Sequence, residues 1–165
     1  MKTLLITATM LLALANTAWA KLQVKISVDV SDNKIKNDLQ EAIEARLNST
    51  ERYSVTQNGP EASLFVAVYC IILENQSGYR NGVACDSEVT YYPYGDSPVS
   101  TSVEEAGHLV VAGLNDTPFI VEKIMNRFIN GTTDSKLAER KTFLRSCIQL
   151  LCAVHPDECK LTQMK

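Results

Sequence analysis

The chain has 165 residues, of which 45% are apolar and 21% charged, and its 16 basic and 19 acidic side chains leave a net charge of −3. That length suits one ordinary domain with a real hydrophobic core. The mildly acidic balance argues against nucleic acid or an anionic membrane surface as the main partner.

Residues 1–20 read MKTLLITATMLLALANTAWA. Lys2 precedes an apolar core running from Leu4 to Leu14, and Ala18-Trp19-Ala20 is a small-x-small cleavage site. This pattern predicts a secretory signal peptide cut before Lys21, leaving residues 21–165 as a single domain. Losing Lys2 takes the charge to −4, with 15 basic against 19 acidic residues. Residue 21 is Lys rather than Cys, so a bacterial lipoprotein anchor is not indicated. All five cysteines, Cys70, Cys85, Cys147, Cys152 and Cys159, lie beyond the signal. An exported context favours disulfides over metal, and an odd count leaves one thiol over.

Residues 21–30 alternate Leu22, Val24, Ile26, Val28 and Val30 with polar residues, which predicts a half-buried first strand. Ser31 or Asp32 caps a helix over 33–47, where Ile35, Leu39, Ala42, Ile43 and Leu47 make one apolar stripe. Residues 52–57 are a short strand with Tyr53 and Val55 on one side. Asn58-Gly59-Pro60 is a break.

Residues 62–92 read as one long antiparallel hairpin. Its first strand, 64–73, is apolar on both alternating faces, the pattern of a central strand covered on both sides. Its second strand, 82–92, alternates: Val83, Cys85, Ser87, Val89 and Tyr91 face one way, Ala84, Asp86, Glu88 and Thr90 the other. A two-residue turn at Ser77-Gly78 pairs Gln76 with Tyr79, and counting outward sets Cys70 opposite Cys85. A directly opposed pair is close enough to close an S–S bond.

Residues 91–98 form a turn-rich loop carrying Tyr91, Tyr92 and Tyr94. Ser102-x-x-Glu105 has the form of a capping box, yet Gly107 and Gly113 flanking Leu109-Val110-Val111 favour a strand near 108–112. Pro118 opens a helix whose stripe is Ile120, Val121, Ile124, Met125 and Phe128, with Gly131 as its stop. Thr133 or Asp134 starts a last helix to about Ala153. Its predicted buried face holds Leu137, Leu144, Cys147, Ile148 and Leu151. Cys147 and Cys152 lie about 140° apart around that helix and do not pair. Cys152–Cys159 is the preferred second disulfide, with Cys147–Cys159 close behind.

The predicted fold is therefore a single α+β domain of order β-α-β-β-β-β-α-α. It has an antiparallel or mixed sheet of about five strands, helices mainly on one face, and a disulfide-stapled hairpin. The element order resembles small periplasmic modules such as the amino-terminal domain of TolB-like proteins and the lipopolysaccharide-assembly lipoprotein. That likeness is one of layout with no shared motif.

No motif carries chemistry. The two histidines, His108 and His155, lack the H-x-x-x-H or C-x-x-C spacing of a metal site, so neither metal nor cofactor is called for. A G-x-S-x-G elbow and a phosphate loop are absent. Four N-x-S/T sequons, at Asn48, Asn75, Asn115 and Asn130, fall in predicted turns or helix ends. Asn is a turn former there, and glycosylation would need a eukaryotic host. Lys136, Arg140, Lys141 and Arg145 place basic residues on the outer side of the last helix. Tyr91, Tyr92 and Tyr94 are the candidate binding residues, because rigid amphipathic rings are enriched at interfaces. These features favour an exported, periplasmic protein acting by protein–protein contact, through the tyrosine loop or an exposed sheet edge. It would serve as an envelope-assembly accessory or as an inhibitor or immunity-type protein. The alternatives are a small hydrolase with a site near His108 and a small-ligand carrier with an apolar cavity.

Overall fold

The computed structural model describes residues 21–92, 100–104 and 108–156. Strand β1 (Leu22–Asp29) is followed by helix α1 (Asn33–Asn48), strand β2 (Tyr53–Val55) and a single 3₁₀ turn (Gly59–Glu61). The hairpin strands β3 (Leu64–Glu74) and β4 (Arg80–Tyr91) come next, then β5 (Thr101–Glu104) and β6 (Val110–Ala112). Helices α2 (Thr117–Gly131) and α3 (Asp134–Val154) close the chain. The six strands form one mixed sheet in the order β2-β1-β3-β4-β5, with β6 also paired to β4.

The hairpin has the expected register: Cys70 faces Cys85, Val68 faces Ser87 and Val66 faces Val89. Cys70 and Cys85 are joined by a disulfide. The turn is not the expected two-residue loop. Asn75 N–H donates to Tyr79 O, so Gln76, Ser77 and Gly78 make a three-residue loop. Gly78 sits at φ +74°, the left-handed position such a loop requires of its last residue. The Asn75 carboxamide oxygen accepts from Ser77 N and Tyr79 N. A register irregularity between Leu73 and Glu74 then absorbs the extra residue.

Strand β1 runs parallel to both neighbours, to β2 from Leu22↔Tyr53 and to β3 from Val24↔Leu64. Alternation therefore puts Val24, Ile26 and Val28 on the same face as Leu64, Val66 and Val68 and as Val83, Cys85 and Val89. Helices α1 and α2 cover that face. The buried stripe of α1 is Ile35, Leu39, Ile43 and Leu47, and that of α2 includes Ile120, Ile124 and Phe128. Each such side chain contributes about 1.5–3 kcal/mol on leaving water.

Asp32 caps α1 by accepting from Lys34 N and Ile35 N, and Thr133 caps α3 by accepting from Lys136 N. A polar corner ties β2 to the last two helices. The Tyr53 hydroxyl shares a hydrogen bond with Thr132 Oγ1, and Thr132 Oγ1 donates to Phe128 O. Arg52 donates to Thr132 O and Asp134 Oδ1. The Tyr53 and Phe128 rings meet edge to face at 4.8 Å.

The strand expected near 108–112 is β6, and Ser102 lies in a further strand, β5; β4 is long enough to pair with both short segments in succession. Leu151 is exposed and not part of a buried face, and Cys147 is half-buried. Helix α3 packs beside β5 at the sheet's edge, and Leu144 is its one buried residue. The other predicted elements stand within a few residues of their expected bounds.

The disulfide closes a loop with a sequence separation of 15. A Cys70→Ala, Cys85→Ala double variant is therefore expected to lose about 3 kcal/mol in urea unfolding, because its unfolded chain regains loop entropy. A loss under about 1 kcal/mol would show that the strands need no brace.

The Asp32 carboxylate is held below its ordinary value of 3.8, first by the Ile35 N–H, then by the Arg80 side chain 2.7 Å away. A group more acidic in the folded state adds stability above its unfolded value and loses it as pH falls through the folded one. Carboxylate NMR titration should place the Asp32 midpoint below 3.8. In Arg80→Ala it should move upward without reaching that value, since the Ile35 contact remains. A midpoint at or above 3.8 in the parent protein would contradict the cap geometry.

Candidate functional site

The sequence predicts β3 covered on both faces; the described helices cover the Val66 side, while on the other side Ala67 is buried, Phe65 and Leu73 are half-buried, and Tyr69 and Ile71 are exposed. Helices α1 and α2 lie on the Val66 side, and α3 packs at the β5 edge, so no described helix packs on the other side. That open face carries Phe65, Ala67, Tyr69, Ile71 and Leu73 of β3. The register sets them beside Lys25, Ser27 and Asp29 of β1 and Ala84, Asp86, Glu88 and Thr90 of β4.

The apolar residues there are not isolated. Ile71 pairs with Ala84, and Ala84 pairs with Val111 of β6, so the three lie in one row across three strands. Ile71 is 64% exposed, Val111 55% and Tyr69 50%, while Ala84 is buried between its larger neighbours. Adjacent strands are about 4.8 Å apart, so this row spans roughly 10 Å. Polar and charged side chains rim it: Asp29 pairs across from Tyr69, and Glu88 from Ala67. Gly82 is buried beside Leu73. A Cβ there would sit 2.9 Å from Ala112 O, so glycine is what lets β6 approach. A contiguous apolar patch with a polar rim has the anatomy of a contact surface.

An unfilled edge adjoins the patch. β3 pairs with β1 only as far as Asp29↔Tyr69, but with β4 as far as Glu74↔Arg80. On the β1 side, residues 70–74 therefore have no strand partner among the described residues. An extended segment could add there, beside Ile71.

The sequence-predicted site residues are dispersed. Tyr91 is half-buried and packs against the core, on the covered face. Tyr92 is half-buried and extends the hairpin, its N–H donating to Ser63 O. Tyr94 lies outside the described residues. Cys70 and Cys85 are bonded, Cys152 is disulfide-bonded and Cys147 is a free thiol. Cys159 lies outside the described residues. The exposed Tyr69, Ile71 and Val111 were missed. The alternation of β4 held the signal: Asp86, Glu88 and Thr90 pair with Tyr69, Ala67 and Phe65, which marks that face as wet.

His108 is exposed and is held by its backbone. Its N–H donates to Asp86 Oδ1 at 3.3 Å and its carbonyl accepts from Arg127 Nη1 at 3.3 Å. Arg127 also donates to Ser87 Oγ and lies 3.5 Å from Asp86 Oδ1. This cluster fills the stretch of β4 edge between β5 and β6. Among the described residues no hydroxyl or carboxylate is hydrogen-bonded to the His108 ring. Nor is any group of three or more His, Cys, Asp and Glu among them placed to hold a metal ion. The layer between sheet and helices, where a carrier would hold its ligand, holds the buried core cluster.

No family model matches the sequence, and no curated protein matches it. Among solved structures the chain is similar to the PelC dodecamer from Paraburkholderia phytofirmans, at 10% identity and a TM-score of 0.41. The overlap covers 67% of this chain and 89% of the PelC chain. A likeness at this level bears on neither assembly nor chemistry.

Substitution separates the two faces of β3. Tyr69→Thr and Ile71→Thr keep β-compatible, polar-tolerant side chains and should each change stability by no more than about 0.5 kcal/mol. Leu64→Ala, on the covered face, should cost about 3 kcal/mol. Urea unfolding that finds a core-sized loss at Ile71 would mean that the open face is packed.

Proposed function

We propose that this chain is an exported binding protein that works by protein–protein contact in the periplasm, presenting the open face of its sheet and the adjoining β3 edge. The observation that carries this reading is the exposed row of Ile71 and Val111, with Tyr69 beside it. Such a patch on a sheet face favours a partner that supplies apolar or extended chain.

Export rests on two supports. Residues 1–20 have the order of a cleavable signal, and a disulfide is the bond of an oxidising compartment. No helix among the described residues is long and apolar enough to cross a membrane. Within this reading the role is that of an envelope-assembly accessory or of an inhibitor of an enzyme in the same compartment. The tyrosine loop stays a second contact through Tyr92 and Tyr94, with Tyr91 roofing the core. The hydrolase and carrier readings gain no comparable support, since among the described residues no hydroxyl or carboxylate is hydrogen-bonded to the His108 ring, and the layer between sheet and helices holds the buried core cluster.

The test is capture from a periplasmic extract by the tagged protein, with bound proteins identified by mass spectrometry. The Tyr69→Thr, Ile71→Thr double variant should lose the specific partner while keeping its fold. A Tyr92→Ala, Tyr94→Ala variant should weaken capture less. Full capture by the sheet-face variant would move the site elsewhere.

A further inference from the structure

The open edge of β3 has a hydrogen-bonding pattern and a charge that the apolar patch beside it does not explain. The Cα atoms of Cys70 and Cys85 are 4.1 Å apart. That is nearer the ~4.5 Å of a non-hydrogen-bonded pair than the ~5.5 Å of a bonded one. Cys70 therefore turns its N–H and C=O away from β4, and so does Ile72, two residues on. Both groups of Ile72 point into the lane that β1 leaves when its pairing stops at Tyr69. Among the described residues no hydrogen bond reaches them there. The lane runs from Cys70 to Glu74, roughly 17 Å and the length of an ordinary strand.

We propose that this lane takes an extended segment of a partner protein, which adds to the sheet as a strand beside Cys70–Glu74 and sets a basic residue against Asp29. This rests on the reading of the open face as a contact surface and names what that surface receives. Two observations choose the occupant. The first is the backbone: N–H and C=O groups aligned on a strand edge are met by another extended backbone. Side chains of the added strand then alternate. One set extends the row of Tyr69, Ile71 and Leu73. The other meets the start of α1, which Arg80 ties to the end of β3, bonding Asp32 at 2.7 Å and lying 3.5 Å from Glu74.

The second observation is charge. The open face carries Asp29, Asp86 and Glu88 against Lys25. Asp86 is engaged by Arg127. Asp29 is exposed, stands where β1 closes the lane, and has no ion pair among the described residues. An opposite charge on the neighbouring strand is favourable there. A second copy of this chain is the poorer occupant. Antiparallel pairing about a twofold axis at Ile72 would set that copy's Asn75 opposite Tyr69, the place Asp29 occupies.

Amide hydrogen exchange followed by NMR tests this. In the free protein the Ile72 amide should exchange faster than that of Ile71, which points to β4. The probe is the hexapeptide Lys-Val-Thr-Val-Thr-Val, acetylated and amidated, together with its reversed sequence, since an edge accepts a strand running either way. At about nine times its dissociation constant, one of the two should slow Ile72 exchange about tenfold, because only a tenth of the chains stay open. Glutamate in place of lysine should weaken binding at least about fivefold, the scale of an exposed ion pair. Ile72→Pro removes the lane's donor without touching the β4 ladder, and should abolish binding with an unchanged circular dichroism spectrum. Should that variant not fold, Asp29→Lys, at an exposed position, should reverse the preference to the glutamate peptide.

An Ile72 amide as slow as that of Ile71 in the free protein overturns the proposal, since the chain itself then fills the lane. So does an Ile72 exchange rate that neither peptide changes. A periplasmic partner lost by Tyr69→Thr, Ile71→Thr but kept by Ile72→Pro overturns strand addition and leaves the open face standing as the contact. Peptide protection of Ile72 alongside full capture by the sheet-face variant does the reverse.

Discussion

Strand β3 is hydrogen-bonded on both sides, in parallel to β1 and antiparallel to β4, and the rest of the domain follows from that double pairing. Side chains alternate every residue along a strand, so a slip of one position would turn every buried residue to solvent. The Cys70–Cys85 bond removes that freedom on one side. On the other, the β1 register sets Val24, Ile26 and Val28 beside Leu64, Val66 and Val68. One continuous apolar face results, and the stripes of α1 and α2 are the surfaces that fit it.

The same constraint leaves Tyr69 and Ile71 of the opposite face exposed. Two helices are enough for one layer, and the third is diverted to the edge. The corner of Arg52, Tyr53, Thr132 and Asp134 sets its starting point, so α3 leaves from the β2 end and packs beside β5. Apolar residues on the uncovered side of β3 thus remain in water beside acidic and hydroxyl neighbours from β1 and β4. Burying them in the monomer would need another layer, which the described chain does not supply. Their exposure is the physical basis for reading the face as a place of contact.

The edge formed by β5 and β6 shows how an interrupted strand is accommodated. Two short segments pair with successive parts of β4, and the stretch between them is filled by Arg127, Asp86 and the backbone of His108. This arrangement uses polar groups that otherwise suggest chemistry, and it explains their proximity by structure alone. The Asn75 carboxamide is similar: it is occupied in closing the hairpin loop, the turn-forming role its residue type favours.

Local periodicity and residue chemistry determined much of this protein from the sequence alone. The alternating β1, the stripes of α1 and α2, the α+β class and the facing of Cys70 with Cys85 all rest on interactions within or between neighbouring segments. What only the tertiary structure decided was which apolar residues end up covered. Tyr69, Ile71 and Leu151 are as apolar as the core, and their exposure depends on where distant helices were sent. The split edge at β5 and β6 was likewise hidden, since it depends on how β4 meets two later segments of the chain, and a local pattern carries no record of that meeting.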